Sequence, residues 1–456
     1  MFNFPYTNFH RLNLDWIVAV MAPWRNVKAT ANSVEYGTPA SVTLEKGESE
    51  TTFNFNIPEG RPGYGTVTSV NNIAPVDGNI TVPLSNLTGV ANILDYGAAG
   101  DGVTDDSAAL LSALADHNAV FLPPGRTFIV NTTISKNNFS IFGAGPESRL
   151  NGNLTINNSR HVSLYNFSMD GNTDLLTLEN SSYIIINNVH MGFWRDNSAC
   201  LKITGNSQAI YCNNCTYSNS AISCLDISNS SGEVLNDLVF DNCWFAYNRD
   251  NGEAIAQKSV NINANGIIQA VSFSNCDMSN GRHAFYTSGS GLIRYLKFAN
   301  CFLDGRTVWD ALVKDAEFAN CWFSGQTGVD CHQFTGASNV RIANSLFCPA
   351  GNAATAVILI SNAAEVSISN STIAGAAETG IAITSAGKVR LSGCDFSKSE
   401  ALGNAGNIKT AIYIDGSFAG KLFLESNDFS EINSKVAGAG TGSTLKYVNN
   451  IGVDNT

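Results

Sequence analysis

The chain is short of charge. Only 14% of its 456 residues are Asp, Glu, Lys or Arg, against about 25% in ordinary globular proteins. Basic residues are the scarcer sign: 26 Lys and Arg face 38 Asp and Glu, for a net charge of −12 and a pI of about 4.9. That balance argues against nucleic acid or an anionic membrane as a partner. No apolar run is long enough to span a bilayer. The N-terminus, Met1-Phe2-Asn3-Phe4-Pro5-Tyr6, lacks a basic stretch followed by an apolar one. No secretory leader is therefore expected, and assembly is expected in a cytoplasm. Sequons such as Asn153-Leu154-Thr155 then carry no meaning. Cys212-Asn213-Asn214-Cys215 has no second pair and no nearby His, so core packing is expected in place of a zinc or redox site. No metal or cofactor is expected.

What the chain has instead is a phrase, apolar–x–Asn–Cys–x–aromatic. It is clearest at Phe240-Asp241-Asn242-Cys243-Trp244-Phe245 and Phe318-Ala319-Asn320-Cys321-Trp322-Phe323. With the Asn as marker the series runs Gly143, Asn166, Asn188, Asn214, Asn242, Asn275, Asn300, Asn320, Asn344, Asn370, Gly393 and Ser426. Intervals run from 20 to 33 residues, which suits one turn of a parallel β-helix. Alternation before the marker says strand, with one face inside. The marker is a bend residue, because Asn tolerates left-handed backbone and Gly adopts it without strain. Stacked Asn amides would bond one another in a ladder. Twelve coils at ~4.8 Å make a rod of roughly 50 Å. Six of the 11 cysteines follow a marker. Their Cβ vectors would run side by side, so they read as a ladder of small hydrophobes and not as disulfides.

In chain order, residues 1–30 form a short helical stretch (Leu12, Leu14, Trp16, Ile17, Val20, Met21) ended by Pro23. Residues 31–90 hold a small β module and a linker hairpin around Asp77-Gly78-Asn79. In residues 91–135, Thr104 is placed to cap a helix with Asp105 and Asp106 in its first turn. Ala108, Leu111, Leu114 and Ala115 would be its apolar face. That helix would plug the open end of the solenoid. Asp101, Asp105 and Asp106 thus read as capping groups in preference to a metal cluster. Gly143-Ala144-Gly145-Pro146 is not a phosphate loop, since no helix follows. The β-helix spans 136–432, and 433–456 is a tail.

Two resemblances sharpen this. Phe9-His10-Arg11-Leu12-Asn13-Leu14-Asp15-Trp16 resembles the N-terminal anchoring segment of bacteriophage tail and appendage proteins. Phe55-Asn56-Ile57-Pro58-Glu59-Gly60 is similar to modules of phage tail fibres. Ile93-Leu94-Asp95-Tyr96-Gly97 through Asp101-Gly102-Val103-Thr104-Asp105-Asp106, then Val120-Phe121-Leu122-Pro123-Pro124-Gly125, resembles the opening of the pectate-lyase-like, right-handed β-helix superfamily, widespread in phage tailspikes. The repeats give about 12 coils in an all-β chain, and the resemblance implies a homotrimeric spike in the virion. It implies virion anchoring through Phe9, Leu12, Leu14 and Trp16 to other tail or neck proteins. The paired-Asp and Asn-Thr-Asp pattern of polygalacturonases is missing, which weakens a pectinase reading.

Counting from the marker suggests where chemistry sits. Arg195, Arg249 and Arg282 lie seven residues past it, and Asp196, Asp250 and His283 eight past it. Trp194, Tyr247, Asp304, Arg306, Trp309, Asp310, Asp330 and His332 fall nearby. Equal offsets would gather them into one strip. Aromatic rings suit sugar faces, and Arg holds carboxylate or phosphate bidentately. Trp194, Arg195, Asp196, Tyr247, Arg249, Arg282, His283, Arg306, Trp309 and His332 are thus candidates for binding host polysaccharide. Asp250, Glu253, Asp304 and Asp310 are the candidate acids if the polymer is cleaved; a lyase would use Arg or His as base. Solvated turn residues, subunit-contact ion pairs and a purely structural virion component remain the alternatives.

Overall fold

The computed structural model describes residues 27–35, 38–46, 51–58 and 89–452, the last without 172–173, 193–198, 219, 221, 247–257, 280–282, 325–331, 349–353, 376, 398–407 and 439–441. The anchoring residues Phe9, Leu12, Leu14 and Trp16, and the linker hairpin, lie outside the described residues. The chain divides into two compact units, residues 1–83 and 84–456.

The first unit holds a three-stranded sheet. Ser41–Lys46 pairs antiparallel with Thr51–Pro58. Val27–Val34 lies parallel to the other edge of Thr51–Pro58. The module therefore begins before residue 31.

The second unit is a parallel β-helix. Each coil has three parts. A long strand such as Val234–Asp241 runs to the marker, here Asn242; a short strand, Trp244–Ala246, follows it; a return strand, Lys258–Ala264, closes the coil. Long and short strands stack into one sheet of 26 strands, return strands into one of 13. Parity sets what is inside. Phe240, Phe273, Phe298 and Phe318 are successive inward residues of long strands, with ring centroids 5.0, 5.1 and 4.5 Å apart. All are buried. At ~25 cal/mol per Å², such columns supply the hydrophobic term that each coil lacks alone.

The marker behaves as its side chain dictates. Asn166, Asn188, Asn214, Asn242, Asn275, Asn300, Asn320, Asn344, Asn370, Gly393 and Ser426 all have φ between 47 and 62°. The amide ladder forms: Asn188 Nδ2 donates to Asn166 Oδ1 at 2.9 Å, Asn214 to Asn188 at 3.1 Å, and Asn242 to Asn214 at 3.0 Å. It breaks where the interval is longest, and Asn275 donates to Asp241 Oδ1 instead. It resumes through Asn300 and Asn320. Gly143 differs: a Cβ there would meet Asn166 O at 2.4 Å, so glycine serves close approach and not a left-handed bend. The phrase also runs one rung further. Asn449 has φ 51°, and Asn450 takes the Cys position, donating to Leu424 O.

The thiols line up. Cys243, Cys276 and Cys301 are buried and unbridged, and each donates to the chain of a preceding coil. Hydrogen bonding between neighbouring thiols, then burial, pushes Cys243 and Cys321 far above the usual thiol range. Cys212 and Cys215 are buried in the same core.

The helix corrects one expectation. It spans Ser107–Asp116, and its buried residues are Ala109, Leu110, Ala113 and Leu114. Of the expected face only Leu114 is inside; Leu111 is 40% exposed. The shift follows from the acids. Asp106 spends its carboxylate on Ala99 N and Gly100 N, and Asp101 accepts from Val103 N, Thr104 N and the Thr104 hydroxyl. These bonds hold Thr104 in a strand, Asp101–Asp105, ahead of the helix. They also draw the Asp101 carboxyl down to about 2.

Candidate functional site

The return strands gather polar side chains on their outer face. Lys258, His283 and Arg306 are in register on three neighbouring strands. Beside them Lys202, Asp226, Asn261 and Tyr286 form a second column. The strands are apolar inward (Leu225 and Ile227, Val260 and Ile262), so alternation puts Asp226, Asn261 and Tyr286 outward, while Lys258 and His283 sit at strand starts and reach that surface by their side-chain contacts with Asn261 and Tyr286.

They interlock. Lys258 Nζ donates to Asn261 Oδ1 at 3.0 Å, and Asn261 Nδ2 donates to Asp226 Oδ1 at 2.8 Å. The Lys258 ammonium lies 3.9 Å from the Tyr286 ring centroid, a cation–π contact. Tyr286 donates its hydroxyl to Asp310 Oδ2 at 2.7 Å, and His283 meets the Tyr286 ring edge-on at 5.2 Å. Lys202 pairs with Asp174 at 3.2 Å. One carboxylate therefore stands on each side of the Lys258–Tyr286 pair, Asp226 two strands before Tyr286 and Asp310 one strand after it.

The electrostatics follow from half-burial. Burial pushes the Asp226 carboxyl up, while Asn261 and Lys202 oppose the shift. Burial pulls Lys258 down against the pull of Asp226 and Asp310. Tyr286 is pushed up to about 12, chiefly by its hydrogen bond to Asp310. An acid that keeps its proton longer and an amine that loses its proton sooner share one hydrogen-bonded chain. Such a pair can hold an anion or move a proton at a bound ring.

Of the residues expected from the marker offsets, His283, Arg306 and Asp310 lie on this face. Trp194, Arg195, Asp196, Tyr247, Arg249, Asp250, Glu253, Arg282 and Asp330 lie outside the described residues. Asp304 sits on a short strand, where Ser324 donates to it at 2.7 Å. Two expectations are corrected. Trp309 and His332 are both 0% exposed and cannot meet a polymer. Pairing sets their parity: Trp309 lies opposite Thr287 and Phe334, and His332 opposite Thr307 and Ile358, all on the inward side. His332 packs edge-on to Phe323 and Phe347 at 5.1 and 5.6 Å. Burial, with Arg306 adding repulsion, pulls it down to about 3, so it is neutral.

Asp226, Lys258, Asn261 and Tyr286 escaped the sequence reading. For Asp226, Asn261 and Tyr286 the signal is the alternation of the return strand, as in Leu225-Asp226-Ile227 and Val260-Asn261-Ile262; Lys258 shares the parity of Val260 and Ile262, so alternation does not mark it.

The fold is a right-handed parallel β-helix with a polar flank. Residues 90–301 match the family described as rhamnogalacturonase A/epimerase, pectate lyase-like. The tailspike protein gp49 of Pseudomonas phage LKA1 is similar over 78% of this chain and 84% of that one, at 13% identity and a TM-score of 0.52. DFA-IIIase from Arthrobacter chlorophenolicus A6 matches at 14% identity over 77% of this chain and 98% of that one, with a TM-score of 0.44. The surface adhesin PfbA of Streptococcus pneumoniae matches at 11% identity over 79% and 100%, with a TM-score of 0.43. No curated protein sequence matches the chain. At 13% identity, what this chain shares with gp49 is the fold.

Proposed function

We propose that this protein is a phage tail spike or appendage that binds host-surface polysaccharide along the return-strand flank. Residues 1–30 attach it to the virion, and it works as a homotrimer assembled in the host cytoplasm. The observation that carries the glycan reading is the in-register column Lys258–His283–Arg306 beside Tyr286. An acidic polymer would set carboxylates on Lys258 and Arg306, in competition with the nearby Asp226 and Asp310, and a ring face on Tyr286. The tailspike fold of the phage neighbour supports the virion setting, as does the resemblance of Phe9–Trp16 to phage anchoring segments.

The test is affinity electrophoresis of the full chain through gels cast with polygalacturonate or alginate. Lys258→Ala and Arg306→Ala should each weaken retardation at least about tenfold, the worth of a charge-assisted hydrogen bond. Equal retardation of variants and parent overturns the assignment of the face. Blocking of phage adsorption by excess soluble protein tests the virion role.

A second reading, a depolymerase on the same scaffold, is favoured by one observation. Asp226 and Lys258 are shifted toward each other and joined through Asn261. New reducing ends would mark a hydrolase and unsaturated sugars a lyase.

A further inference from the structure

The short strands carry another outward column, on a different face from the return strands. Trp244, Asp277, Phe302 and Trp322 follow one another in register. Their neighbours Phe245, Met278, Leu303 and Phe323 fill the core, so parity turns these four outward. Trp244 is 46% and Trp322 39% exposed. Single exposed aromatics are common, but a column of them at ~4.8 Å strand spacing is a patch. The rings are held in place. Trp244 Nε1 donates to Ser279 Oγ at 3.2 Å, and Phe302 meets Trp322 edge-on at 4.8 Å.

Between Trp244 and Phe302, Asp277 Oδ1 is buried and accepts no hydrogen bond among the described residues. That oxygen is enclosed by the protein, while the Asp277 side chain as a whole is half-buried and keeps a face toward the column. Burial raises the Asp277 carboxyl, with Ser279 opposing and Asp304 adding to the rise. Asp277 and Asp304 together repel an anionic ligand.

We propose that Trp244, Asp277, Phe302 and Trp322 form a binding site for neutral pyranose rings. The C–H faces of the sugars lie on the aromatic rings, and a sugar hydroxyl donates to the exposed side of the Asp277 carboxylate. An extended glycan laid along the rod meets the groups in turn. The site stands apart from the cationic flank and selects the opposite kind of sugar.

The experiment uses the full chain with dextran, laminarin and mannan as neutral probes and polygalacturonate as control. Affinity electrophoresis and tryptophan fluorescence read binding. At least one neutral polymer binds, and Trp244→Ala, Trp322→Ala and Asp277→Ala each weaken it about tenfold. Asp277→Ala leaves the melting temperature unchanged or raised, because it removes an unsatisfied buried oxygen. Lys258→Ala leaves neutral-polymer binding within twofold of the parent. The proposal is overturned if no neutral polymer binds, if Lys258→Ala abolishes that binding as fully as Trp322→Ala does, or if Trp322→Ala changes the oligomeric state and so marks the column as a subunit contact.

Discussion

Replacing His332 by Leu should remove a pH dependence from the stability of the β-helix. The side chain is fully buried, and both ring nitrogens lack partners among the described residues. Its folded pKa is about 3, against 6.5 for a free imidazole. The unfolded chain therefore takes up a proton near pH 6.5 that the folded chain refuses until about pH 3. Stability from this group is full above pH 6.5 and is lost as pH falls through that window, at about 1.4 kcal/mol per pH unit. Between pH 7.5 and 5 the parent loses about 2 kcal/mol from this source alone. His332→Leu loses none of it. At neutral pH the variant also sheds two unpartnered nitrogens, each costing about 1–3 kcal/mol, offset in part by lost ring contacts with Phe323 and Phe347. Urea unfolding of parent and variant at each pH isolates the term, since other titrations cancel in the difference. If that difference stays within about 0.5 kcal/mol from pH 7.5 to 5, or His332 titrates near 6.5 by NMR, the burial argument fails. Polysaccharide binding should be the same in both proteins.

At the marker, Asn300→Ala should cost about 2 kcal/mol, from a left-handed Ala and two lost amide bonds. Asn300→Gly, which keeps the backbone free, should cost less; equal losses in urea unfolding would remove the left-handed bend from the explanation. Trp309→Ala should destabilise by about 3–5 kcal/mol, as other buried aromatics do, and leave retardation in glycan gels unchanged. A Trp309→Ala protein with normal stability and impaired binding would put that indole back on the surface.

Much of the architecture was legible because identity and conformation coincide at the marker. Asn selects the left-handed bend by its own side chain, so the bends could be counted from the sequence. A second left-handed column was not legible. His161, Tyr183, Ala209, Asp237, Ala270, Tyr295, Asp315 and Asn339 all have φ between 53 and 58° and sit between paired positions of adjacent long strands. No shared side-chain chemistry marks them; each is the residue left unpaired between two ladder pairs.

The sequence by itself determined the repeat, the inward face of each long and short strand, and the buried thiol column, because these depend on parity close to a marker. Only the tertiary structure decided which side chains meet on the return strands. Lys258 lies 16 residues past Asn242, His283 8 past Asn275, and Arg306 6 past Asn300, yet the three are in register. The loops between differ in length, so counting from the bend loses its phase. Interstrand hydrogen bonds restore it, and with it the difference between Tyr286, which faces outward, and Trp309, which fills the core.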